Sequence, residues 1–205
     1  MRLLATLAAV LAVASLAGCQ KASTGAAADD MTLGNPKAPV TVIEYASVSC
    51  PHCAAFNNDV FPTLKAKYID TGKVFYVARE ALTSDPSIAA AGFLTARCAG
   101  KQKYFEVVDA IYHAQAQMEA SGDPHAVLLQ IARSVGLTDA QFEACIRDPA
   151  AVKALNDRWN RYVTDDQINA TPTLVINGKV YAKGEMSVTQ LETAITQAGG
   201  GKPST

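Results

Sequence analysis

Excess charge of either sign is missing from this 205-residue chain, which has 18 Lys and Arg against 19 Asp and Glu. Nucleic-acid binders usually show a basic face or a pI above about 9, so that class is excluded. Histidine is scarce at three residues, and tryptophan occurs once. So few imidazoles, scattered singly, leave little material for a zinc centre of about four ligands. No internal repeat is visible, which removes solenoids and propellers. What is plentiful is apolar side chain: 49% hydrophobic with 18% charged, a balance that excludes disorder for most of the chain. The length suits one domain, or one domain with an insertion, and allows a sizeable core.

The longest apolar stretch lies at the start. Met1 to Gly18 contain a single base, Arg2, and no acid. Leu3 to Leu16 then read as the core of a secretory signal, too short for a span of roughly 20 residues. Its end, Leu16-Ala17-Gly18-Cys19, resembles the lipobox of bacterial lipoproteins. That resemblance implies a signal peptide over 1–18 and a lipid on Cys19. It also implies a periplasmic protein held at the membrane, the outer membrane being suggested by Gln20. Residues 19–32, rich in Ala, Ser, Thr and Asp, read as a flexible tether. Without the first eighteen residues the charge is about −2.

Past the tether, Val40–Tyr45 form a β-branched run that predicts a strand. A helix is expected from about Cys50, with Phe56, Val60 and Leu64 on one face and a kink at Pro62. Lys73–Arg79 predict a second strand. Then Asp85-Pro86, Asp123-Pro124 and Asp148-Pro149 each set a capping carboxylate before a proline suited to the first helical position. Thr138/Gln141 and Ser187/Gln190 form capping-box patterns. Thr173–Ile176, the Asn177-Gly178 turn and Lys179–Ala182 predict a hairpin, followed by a helix through Val188, Leu191 and Ile195. This order implies a mixed sheet covered by helices, interrupted by an all-helical block.

Chemistry concentrates in Cys50-Pro51-His52-Cys53, after a strand and opening a helix. Two sulfurs three positions apart can bridge. Unpaired N–H groups and the positive end of the helix favour a Cys50 thiolate, and His52 adds a donor or charge. A stabilised thiolate favours the reduced pair and makes the couple oxidising. Cys53, deeper in the helix, is expected to stay protonated. Haem attachment would need His at position 54, which is Ala. A structural disulfide across two residues would stabilise little. Of five cysteines, lipidation takes Cys19 and the motif takes two, which leaves Cys98 and Cys145 to pair; two buried thiols are the alternative.

These motifs, with Leu33-Gly34-Asn35-Pro36, Arg97-Cys98-Ala99 and Thr171-Pro172-Thr173, resemble the DsbA-like branch of the thioredoxin superfamily over about residues 31–199. A lowered cysteine pKa is a known trait of that branch. The resemblance implies an α/β thioredoxin fold with a helical insertion, divided as 33–84, 85–165 and 166–199, with a disordered tail at 200–205. It implies a cis Pro172 beside the active cysteines and a Thr171 backbone that pairs with an extended substrate. It makes Glu44 a buried acid that moves the proton of Cys53, with Lys73 as a candidate partner, and Cys98–Cys145 a second, non-catalytic disulfide.

The activity implied is disulfide introduction into unfolded or folding secreted proteins with free thiols, starting at an exposed Cys50. The reoxidant would be a membrane quinone-linked oxidase of the DsbB type; no cofactor is needed. Thr171 leaves substrate release and partner choice open, and two alternatives stand beside this reading: a reductase or isomerase kept reduced by a membrane donor, and a lipid-tethered chaperone or assembly factor whose thiols only hold a client or metal. Against an isomerase, about thirty residues between Cys19 and Cys50 leave no room for the dimerisation domain of the V-shaped enzymes.

Overall fold

A computed structural model describes residues 25–200. Residues 1–24, which include the expected signal segment and Cys19, and those from 201 onward lie outside the described residues. Five strands form one mixed sheet: β1 (Met31–Leu33), β2 (Val40–Ala46), β3 (Val74–Glu80), β4 (Thr173–Ile176) and β5 (Lys179–Lys183). Their spatial order is β1-β3-β2-β4-β5. β2 and β3 run parallel, and the other neighbours are antiparallel.

Alternation along the strands sorts side chains into two faces. Val40, Val42, Val74, Tyr76, Leu174 and Ile176 pack on one side against helices α1 (Pro51–Asp59), α2 (Phe61–Leu64) and α9 (Val188–Ile195). Ile43, Tyr45, Val77 and Val175 pack on the other with Tyr162 and Ile168. Glu44, two residues after Val42, therefore falls on the α1 side and under the cysteine motif.

Between β3 and β4 the chain builds the expected helical block: α3 (Pro86–Cys98), α4 (Tyr104–His113), α5 (Gln115–Ser121), α6 (Pro124–Ser134), α7 (Asp139–Arg147) and α8 (Pro149–Thr164). The carboxylates of Asp85, Asp123 and Asp148 accept from N–H groups of the helices they precede. Both capping boxes form. Gly92 lets α3 lie close on the loop after β2, because a Cβ there would stand 2.8 Å from Val48 Cγ2. Cys98 and Cys145 join α3 to α7 as a disulfide, with Cα atoms 6.1 Å apart.

Three details differ from expectation. The tether assigned to 19–32 ends early: Asp30 and Met31 are buried, and β1 pairs with β3. Asp30 pairs with Arg79 at 3.3 Å and accepts from Tyr162 Oη at 3.2 Å, so a three-residue strand without visible alternation is tied down by charge. Pro62 does not kink one long helix. The chain breaks at Val60, and Pro62 sits in the first turn of α2, where its missing N–H costs nothing. The second strand starts one residue late, at Val74.

Glu80, at the end of β3, clamps the block to the sheet. Its carboxylate accepts from Arg97 Nε at 2.6 Å, Arg158 Nη2 at 2.8 Å and Tyr104 Oη at 3.1 Å. Glu80 and Arg158 are both buried. Glu80→Ala leaves Arg158 buried beside no carboxylate from β3, and should cost about 3–5 kcal/mol of stability in urea unfolding. A loss under about 1 kcal/mol would contradict the clamp.

Candidate active site

Cys50 is the N-cap of α1, with extended backbone at φ −90° and ψ 120°, and Pro51 opens the helix. The Cys50 carbonyl accepts from the N–H groups of Cys53 and Ala54, each at 3.1 Å. The first turn thereby holds both sulfurs on one side. Both thiols are free, and both are buried: Cys50 is 4% exposed and Cys53 0%. The expectation of an exposed Cys50 is corrected here. Its Sγ sits 3.6 Å from the Thr171 carbonyl, under the loop that leads into β4.

The two thiols differ sharply in acidity. The pKa of Cys50 is lowered to about 5, first by a hydrogen bond from the Cys53 thiol. Burial opposes this, while Thr171 and the backbone N–H groups of Cys53 and His52 add to it. Burial pushes the Cys53 thiol far above its ordinary value, with the charges of Cys50 and Glu44 adding. The N–H of Ser47 donates to Cys53 Sγ at 3.5 Å. This arrangement suits thiol–disulfide exchange, since one sulfur is a good leaving group and its neighbour holds its proton.

Glu44 lies where alternation along β2 puts it, 4% exposed. Burial raises its pKa to about 7, against the effect of the Tyr76 hydroxyl, which donates to Oε2 at 2.5 Å. The expected partner Lys73 gives way to Tyr76. Glu44 sits opposite Ala78 in the parallel register, whereas Lys73 precedes Val74 at the far end of β3.

His52 points outward, 64% exposed, and its Nδ1 lies 2.7 Å from Glu185 Oε1. That carboxylate raises the imidazole's pKa. The Thr171–Pro172 peptide bond is cis. Thr171 Oγ1 is 2.8 Å from Thr83 Oγ1, and the Thr83 carbonyl accepts from the hydroxyls of Ser47 and Ser49 at 3.0 and 2.8 Å. From the helical block, Gln115 Nε2 donates to the carbonyls of Val48 and Cys50 at 2.8 and 3.2 Å.

The structure thus gathers Glu44, Cys50, Pro51, His52, Cys53, Thr171 and Pro172 around one helix end. Cys98 and Cys145 lie apart, beside Leu94, Asp148 and Arg158. Sequence reasoning missed Thr83, Gln115 and Glu185, polar side chains that carry no local motif. Among the described residues, no cluster of His, Cys, Asp and Glu is arranged to hold a metal ion, and no helix is long and apolar enough to cross a membrane.

Two titrations check this electrostatic account. In the reduced protein, thiolate absorbance at 240 nm should rise with a midpoint near pH 5, and Cys53→Ala should move that midpoint upward by removing the main donor. An unchanged midpoint would mean that the helix end alone sets the acidity. Glu185→Gln should lower the His52 pKa in an NMR titration; no change would dissolve the ion pair.

The thioredoxin family profile matches residues 26–197. A protein of Rickettsia conorii named "putative protein-disulfide oxidoreductase" is 33% identical over 171 residues, which are 83% of this chain and 60% of that protein. The chain therefore spans less than two thirds of the length of this curated relative. The crystal structure of alpha-DsbA1 from Wolbachia pipientis superposes with a TM-score of 0.77 at 28% identity, covering 85% of this chain and 92% of that one. BdbD from Bacillus subtilis shares the fold, with a TM-score of 0.71 at 20% identity over 87% and 97% of the two chains. A profile that spans the sheet, the cysteine-bearing helix and the inserted block alike means that this chain belongs to the thioredoxin family.

Proposed function

We propose that this protein is a thiol:disulfide oxidoreductase that introduces disulfides into secreted proteins through Cys50 and Cys53. The observation that carries the reading is the asymmetry of two adjacent thiols, Cys50 lowered to about 5 and Cys53 raised. In the oxidised protein a substrate thiolate attacks Cys50 Sγ. The Cys50–Cys53 bond breaks, a mixed disulfide forms, and the Cys53 sulfur leaves with the electron pair. That sulfur takes a proton, for which Glu44 is the source; a carboxyl titrating near 7 is about half protonated under neutral conditions and can both give a proton and regain it from solvent. A second substrate thiolate then attacks the substrate's own sulfur, and Cys50 leaves as a stabilised thiolate. The substrate has lost two electrons and the Cys50/Cys53 pair has gained them.

Thr171 and Pro172 form the wall against which an extended substrate lies, and strand addition to this backbone supplies affinity without sequence preference. Pro51 and His52 border the same opening. Of the three apolar residues after the motif, Ala54 and Phe56 are buried in the core, so only half-buried Ala55 is left to meet an apolar substrate segment. In this reading the protein works in the bacterial envelope, held by a lipid on Cys19, with Gln20 pointing to the outer membrane. A quinone-linked oxidase of the DsbB type reoxidises it. Cys98–Cys145 stays oxidised and braces α3 against α7. One specific feature favours the reverse direction, reduction or isomerisation: threonine before the cis-proline, which the isomerase branch carries and which many other DsbA-like proteins share.

Redox equilibration separates the two directions. In glutathione buffers, with alkylated cysteines counted by mass spectrometry, Cys50–Cys53 should already be reduced in mildly reducing mixtures while Cys98–Cys145 stays oxidised. A couple that stays oxidised until strongly reducing conditions would make the protein a reductase. The pH dependence has a defined sign. A depressed Cys50 pKa stabilises the reduced fold at pH values above the unfolded thiol's, and that gain is lost as pH falls towards about 5. Glu44 works in the opposite sense between 4.5 and about 7. Reduced wild type should therefore outlast reduced Cys50→Ser in thermal unfolding near pH 8. The gap should close by pH 5, because Glu44 cancels in that comparison.

A further inference from the structure

A cavity of 370 Å³ lies between β3, the α1–α2 segment and α4. None of Cys50, His52, Thr171 or Pro172 lines it, so it is separate from the substrate opening. Its walls are mainly apolar, and six aromatic side chains contribute to them. Tyr76 stands at their centre, with ring centroids 5.1 Å from Phe61 and 6.0 Å from Phe105, both tilted by nearly 60°. Glu44 also lines the cavity. The Tyr76 hydroxyl donates to its Oε2, and among the described residues no hydrogen bond is made to Oε1. A carboxyl 4% exposed thus presents an oxygen to an aromatic chamber.

Charge decides what would fit. Glu106 and Asp109 line the same space as Glu44, against two bases, Lys65 and Arg79. Both bases are engaged elsewhere: Lys65 with Asp70 at 2.7 Å, and Arg79 with Asp30 and Asp166 at 3.3 and 3.0 Å. Aromatic faces attract cations, most strongly away from water, and a buried carboxylate needs a charged donor. The volume lies at the lower end for ligand pockets, which run from about 300 to 1,000 Å³, and suits a single ring with a short chain.

We propose that this cavity is a binding site for a small aromatic amine, its ring held by Phe61, Tyr76 and Phe105 and its ammonium on Glu44. The site opens apart from the substrate opening but shares Glu44 with the exchange chemistry proposed above. An occupant that holds the carboxyl ionised would reach Cys53 from behind the active-site helix, without entering the substrate opening.

Phenethylamine and its uncharged analogue 2-phenylethanol test this on the intact reduced protein. Titration of phenethylamine followed by NMR should give saturable shifts of the Phe61, Tyr76 and Phe105 ring signals, whereas 2-phenylethanol should bind about tenfold more weakly or worse. Glu44→Gln should abolish that preference for the amine. Val108→Trp, placed on α4 at a half-buried position lining the cavity, should block both probes even if Glu44→Gln perturbs the fold. Cys50→Ser should bind phenethylamine as wild type does, so a failure of the exchange reading would leave this result untouched. Shifts confined to other surfaces, equal affinity for the two probes, or full binding by Val108→Trp would overturn the proposal.

Discussion

The hydrogen bond from the Cys53 thiol to Cys50 is the interaction on which the site depends. It exists because one turn of α1 places the two sulfurs in unlike surroundings. Cys50, at the helix end, meets N–H groups and the Thr171 loop; Cys53 faces the core and a buried acid. Burial makes Cys53 hold its proton, and a held proton makes it a donor. The donor then stabilises the charge on Cys50 more than any other single group does. The helix end contributes through the N–H groups of His52 and Cys53, but ranks behind this bond. The acidity of the first sulfur is thus tied to the second keeping its proton.

That burial is supplied by the rest of the fold. β2 carries Glu44 beneath the motif, and α3 closes on Val48 at Gly92, a position without a side chain. Three loops around the cysteines are stitched by hydroxyls: Ser47 and Ser49 to the Thr83 carbonyl, and Thr83 to Thr171. Gln115 reaches in from the helical block to the carbonyls of Val48 and Cys50. The block is in turn held to β3 by Glu80 with Arg97 and Arg158. The inserted helices therefore act on the chemistry by fixing the backbone of the cysteine turn, at a distance from the sulfurs.

Features encoded by neighbours in sequence were legible there. The cysteine spacing, the three Asp-Pro caps, the hairpin turn and the position of Glu44 on an apolar strand all follow from local pattern. What could not be read were contacts between distant residues. His52 meets Glu185 across 133 positions and Cys50 meets Gln115 across 65, and nothing in the spacing of these polar residues marks them. Lys73 looked like a partner for Glu44 because sequence shows that both lie on strands, but not how the strands align; the register chose Tyr76. The exposure of Cys50 was misjudged for a similar reason, since the loop that covers it arrives from residue 171.

The early end of the N-terminal tether has a mechanical meaning. Arg79 holds the Gly25 carbonyl at 3.1 Å and Asp30 beside it, so the chain is moored to the sheet from residue 25. With a lipid on Cys19, six residue-to-residue steps would separate that cysteine from the mooring. Fully extended, they span about 20 Å, less than the width of the domain they carry. The protein would then work as a body resting close above the lipid headgroups, and its clients would be those chains that pass through this shallow layer.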